Sequence, residues 1–174
     1  MKILFLCTGN SCRSIMAEAV FNHLAPAGWK AFSAGSRPAG YLHPRALRRL
    51  SSEGISTEGL SSKSQTALTQ DFDVVVTVCD NAKGESCPVY LEKALKLHWG
   101  VPDPAEVRGS HDQVEAVFQE VYRILRFRIE AFLALVREGI YGFPDRLATR
   151  ERERLDRIGS LFPDPDQANQ MADK

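Results

Sequence analysis

The chain has 174 residues, the size of one domain of ~100 to 200 residues rather than two. At 44% hydrophobic and 25% charged it has the composition of a globular protein, which excludes a disordered or fibrous chain. Lys and Arg number 22 and so do Asp and Glu, so no net field recruits nucleic acid or an anionic membrane, and neither is expected as a partner.

Ile3 to Cys7 is a short apolar run, shorter than the ~7 to 15 residue core of a signal peptide, and reads as a buried strand. It leads through Thr8 to Arg13 into a helix whose apolar residues Ile15, Met16, Ala19, Val20 and Leu24 precede the stop at Ala25 to Gly28. Trp29 to Ala34 is a second strand closed by Gly35. Pro44 opens a helix through Leu47 and Leu50 that Gly54 ends. Val74 to Val78 is the strongest strand, a β-branched run of the kind covered on both faces, and Ala94 to Trp99 is a fourth. Ser110 and Gln113 make a capping box for a long helix running to Gly139. Strands alternating with helices predict an α/β fold. The expected organisation is one domain over residues 1–140 and an extension over 141–174. The extension holds a marginal helix with Leu147, Leu155 and Ile158 on one face, then a polar tail from Pro163 to Lys174.

No segment approaches the ~20 apolar residues of a membrane span, and a cytoplasmic protein is expected. In a reducing compartment four cysteines point to thiol chemistry rather than a disulfide scaffold. Cys7-Thr8-Gly9-Asn10-Ser11-Cys12-Arg13-Ser14 places a cysteine, five residues, an arginine and a hydroxyl between a buried strand and a helix. Such a turn aims backbone N–H groups at one point, so Thr8, Gly9, Asn10, Ser11, Cys12 and Ser14 are expected to form an oxyanion cradle that the planar fork of Arg13 completes. The same positive field, with the Ser14 hydroxyl, is expected to lower the Cys7 thiol toward neutrality and make it a nucleophile. Cys12 is expected to be a structural thiol hydrogen-bonded within the loop. A departing oxygen needs a proton, and Asp103, between Pro102 and Pro104, is the expected donor.

These residues alone would describe a phosphatase, in which Cys79 and Cys87 have no task. They acquire one when the oxyanion is reduced. Arsenic(V) bound to Cys7 accepts two electrons when a second thiolate attacks the Cys7 sulfur, and a third thiol then moves the disulfide outward. Were residues 79 to 87 helical, eight steps of ~1.5 Å would separate the two Cα atoms by ~12 Å, beyond the ~7 Å limit for a disulfide, so the segment would have to rearrange. Half a zinc site is the rival reading of this pair. Zinc favours closer spacings, no histidine lies between the two, and His23, His43, His98 and His111 form no ligand spacing. No metal or cofactor is expected.

The chain resembles the arsenate reductases built on the low-molecular-weight protein tyrosine phosphatase fold, thioredoxin-coupled type. The likeness spans roughly residues 2 to 137. It is carried by the Cys7 to Ser14 loop with Met16-Ala17-Glu18, Ser33-Ala34-Gly35, Val76-Thr77-Val78-Cys79, Cys87-Pro88, His98-Trp99-Gly100 and Asp103-Pro104-Ala105. The resemblance implies a four-stranded parallel sheet in the order 2-1-3-4 flanked by helices. It implies Cys7 as nucleophile, Arg13 as oxyanion ligand, Asp103 as proton donor, Cys79 as attacking thiol and Cys87 as the thiol ending in the exposed disulfide, with arsenate as substrate and thioredoxin as reductant. Ile15 and Ala105 stand where tyrosine phosphatases carry proline and an aromatic residue.

Two departures stand out. Cys79 and Cys87 are spaced C-x7-C, one residue longer than in the best-known thioredoxin-coupled members. Some members hold potassium partly through the equivalents of Asn10 and Ser33 plus an acidic residue; Lys63 aligns with that acidic position, and its ammonium is expected to replace the cation. A tyrosine phosphatase and a non-catalytic arsenite-binding or redox-sensing module remain as rival readings, glutaredoxin with glutathione remains as a rival reductant, and a monomer is the default.

Overall fold

The computed structural model describes residues 1–79, 91, 93–139 and 147–162. Its elements are β1 (Lys2–Cys7), α1 (Arg13–Leu24), β2 (Lys30–Gly35), α2 (Pro44–Ser52), a 3-10 turn (Gln65–Ala67), β3 (Val74–Thr77), β4 (Leu95–His98), α3 (His111–Arg137) and α4 (Thr149–Ile158). The strands form one parallel sheet in the order β2-β1-β3-β4, as the resemblance implies.

Residues alternate across β1: Ile3, Phe5 and Cys7 face one core, Leu4 and Leu6 the other, and all five are buried. The first core holds α1, α2, α3 and α4; the second is smaller, closed by Leu68, Phe72, Leu91 and Ala94. Helix α1 is buried over eight consecutive residues from Ser14 to Phe21, the pattern of a helix enclosed on all sides rather than amphipathic. Helix α2 starts as expected at Pro44, where the missing N–H costs nothing, and the chain turns after it at Gly54 with φ 70°. The capping box of Ser110 and Gln113 is present at the start of α3. The second strand begins and ends one residue later than expected, because its pairing with β1 runs from Lys2↔Lys30 to Cys7↔Gly35.

This register decides where chemistry can occur. Parallel pairing brings Cys7, Gly35, the Val78-Cys79 segment after β3 and the Trp99 to Asp103 loop after β4 to one end of the sheet. Strand order reverses direction between β1 and β3, and ligands of open parallel sheets bind in the crevice at such a point. Trp99, fully buried, anchors the last loop against Phe5 and Phe132, with ring centroids 6.0 and 5.9 Å away.

Helix α4 finds the surface it requires. Leu155 and Ile158 enter the first core and Leu147 packs against it. Arg152 donates to the Lys96 carbonyl at 2.7 Å, capping the outer edge of β4. Gly159 ends α4 at φ −60°, open to any residue, so its requirement is room. A Cβ there would strike the carbonyl of His98 and come within 3.3 Å of Trp99. Gly159→Ala is therefore expected to lower stability by about 1–3 kcal/mol through overpacking. Reversible thermal or denaturant unfolding checks this, and an unchanged midpoint would show that α4 yields freely.

Candidate active site

The turn from Cys7 to Arg13 is built around Asn10. Asn10 is fully buried and adopts φ 43°, in the left-handed region that asparagine tolerates better than most side chains. Its amide nitrogen donates to Ser14 Oγ at 2.9 Å and to Ser33 Oγ at 2.8 Å, and its Oδ1 accepts the Lys63 backbone N–H at 2.7 Å. The positive φ thus falls on Asn10 rather than on Gly9. The outer rim is set by the segment after β2. Backbone N–H groups of Ser36, Arg37, Ala39 and His43 donate to the carbonyls of Cys7, Thr8, Gly9 and Ser11 at 3.3, 3.0, 2.8 and 2.8 Å. With these carbonyls bonded on the outside, the inner face of the turn is left to N–H groups, the arrangement of an anion-binding nest. The Asn10 N–H points inward to Cys7 Sγ at 3.1 Å. Gly35 must lack a side chain, since a Cβ would lie 2.5 Å from the Thr8 carbonyl and 3.0 Å from Asn10 Cβ.

Cys7 Sγ lies 2.9 Å from Ser14 Oγ. Burial pushes the Cys7 thiol up, against the lowering effect of the Ser14 hydroxyl and the N–H groups of Asn10 and Ser14. The expected fall toward neutrality is not met in this geometry. Desolvation dominates, and Arg13, expected to supply the positive field, is held elsewhere: it donates to the Val101 carbonyl at 3.1 Å and is ion-paired with Asp103. Asp103 also accepts the Ala105 N–H at 3.1 Å, so it both shapes its turn and faces the loop. Cys12 is buried at the start of α1 with no side-chain capping bond, and burial, then Asp103, drives its thiol up. It packs in the first core, and among the described residues its sulfur has no hydrogen bond of the kind expected.

Cys79 is buried, and its Sγ lies 3.7 Å from Thr8 Oγ1, on the residue next to Cys7. Cys87 lies outside the described residues. Lys63 reaches the back of the loop: its ammonium donates to the Ser61 carbonyl at 2.9 Å and lies 3.6 Å from Glu18 Oε2. Glu18 accepts from Ser33 Oγ at 2.5 Å. Burial raises its carboxyl, with Ser33 and Lys63 opposing the rise. Within the Met16-Ala17-Glu18 motif nothing assigns Glu18 a role; the signal that marks it is a carboxylate set among the apolar residues of α1. Arg45 and Arg48 both pair with Glu115 of α3, and Arg49 with Glu53. His43 stacks on Phe118 with centroids 4.9 Å apart.

Residues 2–140 match the family described as low molecular weight phosphotyrosine protein phosphatase. An arsenate reductase of Shouchella clausii is 37% identical over 131 residues, 75% of this chain and 93% of its own length. Among solved structures, an arsenate reductase in the phosphate-binding state is 28% identical with a TM-score of 0.65, covering 76% of this chain and 96% of its own. A thioredoxin-dependent arsenate reductase of Corynebacterium glutamicum is 28% identical with a TM-score of 0.57, over 78% of this chain and 62% of its own. With a Cys7 to Arg13 loop at the crossover of a β2-β1-β3-β4 parallel sheet, and with relatives of this identity and coverage, the chain belongs to the low molecular weight phosphotyrosine protein phosphatase family, in its arsenate reductase branch.

Proposed function

We propose that the chain reduces arsenate to arsenite in the cytoplasm, through Cys7, Cys79 and Cys87 in turn, within a catalytic domain of residues 1–140. The observation that carries this reading is the Cys79 sulfur 3.7 Å from Thr8 Oγ1, beside the Cys7 loop, where a phosphatase needs no thiol. Arsenate enters the turn from Thr8 to Ser14, and its oxygens take the N–H groups and the fork of Arg13 in place of Asp103. Asp103, released from Arg13, takes the proton of the Cys7 thiol, the resulting thiolate attacks arsenic, and Asp103 passes that proton to the departing oxygen, which leaves as water. Cys79 then attacks Cys7 Sγ. A disulfide forms, the sulfur–arsenic bond breaks toward arsenic, and arsenic(V) leaves as arsenite with two electrons gained. Cys87 attacks Cys79, freeing Cys7 as a thiolate and leaving a Cys79–Cys87 disulfide for thioredoxin to reduce. The Corynebacterium relative named as thioredoxin-dependent supports that reductant. No described helix is long and apolar enough to cross a membrane.

The potassium position is taken by the protein itself. Lys63 places an ammonium 3.6 Å from buried Glu18, behind Asn10 and Ser33, so these residues do not suit a further monovalent cation. Arsenate turnover is expected to be equal in potassium and sodium chloride at one ionic strength, and Lys63→Ala is expected to acquire a preference for potassium. A large activation of the wild type by potassium over sodium would refute the replacement.

The relay itself is tested by arsenate-dependent NADPH oxidation with thioredoxin and thioredoxin reductase, beside hydrolysis of p-nitrophenyl phosphate. Cys79→Ser and Cys87→Ser are expected to lose arsenate turnover by at least about 100-fold while hydrolysis changes little, because only reduction uses those thiols. Cys7→Ser is expected to lose both. Arsenate turnover that survives Cys79→Ser would sink the three-thiol order, and turnover supported by glutaredoxin with glutathione but not by thioredoxin would replace the reductant.

A further inference from the structure

Leu125, Arg128, Ile129 and Phe132 follow one another along α3 on a row that is otherwise apolar, and Arg128 is itself only 1% exposed. A cation buried this deeply ordinarily faces a carboxylate, yet among the described residues Arg128 bonds only neutral carbonyls. Its Nε donates to Leu161 at 3.0 Å and one terminal nitrogen donates to Gly100 at 3.2 Å, while Phe162 covers the guanidinium at 5.2 Å. An apolar side chain would fill the same space without the cost of burying a charge. What the guanidinium adds is a bridge between two segments.

Those segments matter. Leu161 and Phe162 lie in the extension, beyond the residues 2–140 that match the family. Gly100 immediately precedes Val101, whose carbonyl accepts from Arg13, and stands three residues before Asp103. On the strand side this loop is held by the Val101 N–H on the Val78 carbonyl at 3.2 Å, and Pro102 has no N–H to contribute. On the helix side Arg128 holds it.

We propose that Arg128 is a positioning residue for the Gly100 to Asp103 loop, and that Leu161 and Phe162 of the extension complete its setting. The guanidinium, fixed by the Leu161 carbonyl and the Phe162 ring, fixes the Gly100 carbonyl, and through it the height at which Asp103 and the Val101 carbonyl meet Arg13. The inference rests on the reading of Asp103 as proton donor. It makes the extension part of the reaction apparatus of this chain.

A double-mutant cycle tests this. Arg128→Leu and Phe162→Ala are each made in the full chain with Asp103 and with Asp103→Asn, and thermal unfolding confirms folded protein. A residue acting through Asp103 loses its effect once Asp103 is gone, whereas a general structural defect lowers activity alike in both backgrounds. With Asp103 present, Arg128→Leu is expected to lower kcat roughly tenfold by displacing the donor, with little change in KM. In the Asp103→Asn background the further loss is expected to be under about twofold. Phe162→Ala, at an exposed ring, is expected to show the same pattern at smaller size, and it decides the matter should Arg128→Leu not fold. Arg128→Lys, which keeps the charge, is expected to recover part of the loss. Equal losses in both backgrounds, or none, would overturn the proposal. The cycle is read with arsenate and with p-nitrophenyl phosphate, since either substrate would use Asp103. A wild type inert toward arsenate but active on the ester therefore defeats the reductase reading and leaves this test intact.

Discussion

Everything at the reactive end of this molecule depends on Asn10 staying in the left-handed region at φ 43° with its side chain buried. That conformation costs an ordinary L-residue roughly 1–2 kcal/mol, offset by the two hydrogen bonds the amide donates to Ser14 and Ser33 and the one it accepts from the Lys63 N–H. The consequence is geometric. Reversing the chain at Asn10 turns its N–H onto the Cys7 sulfur and brings Ser14 to the same atom. The asparagine thus ties the sulfur, the first turn of α1, the second strand and the loop at Lys63 into one rigid unit.

The sheet supplies the frame for that unit. Because β1 lies between β2 and β3, the turn after it is bordered on one side by the segment 36–43, which bonds its carbonyls, and on the other by Cys79. Gly35 at the end of β2 can approach the loop only because it lacks a Cβ. The last loop arrives from β4 with Trp99 sunk into the aromatic cluster of Phe5 and Phe132. The site is therefore assembled from segments far apart in sequence, each delivered by parallel pairing to one end of the sheet.

The parallel α/β fold and the Cys7 to Ser14 loop were legible in the sequence because their signals are local. A β-branched run announces β3, Pro44 and Gly54 bracket α2, and Ser110 with Gln113 opens α3. What the sequence hid was tertiary. No pattern in Arg37-Pro38-Ala39-Gly40 shows that its N–H groups bond the loop carbonyls. Spacing suggests a cation beside Cys7, but only the folded chain shows Arg13 paired with Asp103 and the Cys7 thiol pushed up by burial. Glu18 and Arg128 were within reach, since each is a charge interrupting an apolar helical row. Their partners, Lys63 and Leu161, lie 45 and 33 residues away and could not be named from periodicity.

The pairing of Arg13 with Asp103 has a consequence for selectivity. On the proposed reading of the loop, an incoming oxyanion would meet an internal competitor, a carboxylate tethered beside its site and therefore present at high effective concentration. The apparent affinity for any anion is the intrinsic affinity reduced by the fraction of molecules in which Arg13 is free. Small planar monoanions, which offer little beyond what Asp103 already gives, would gain less by displacing it. A tetrahedral oxyanion filling the inner N–H groups as well as the guanidinium fork would gain, so on that reading the ion pair raises the threshold that a ligand must pass before the loop accepts it.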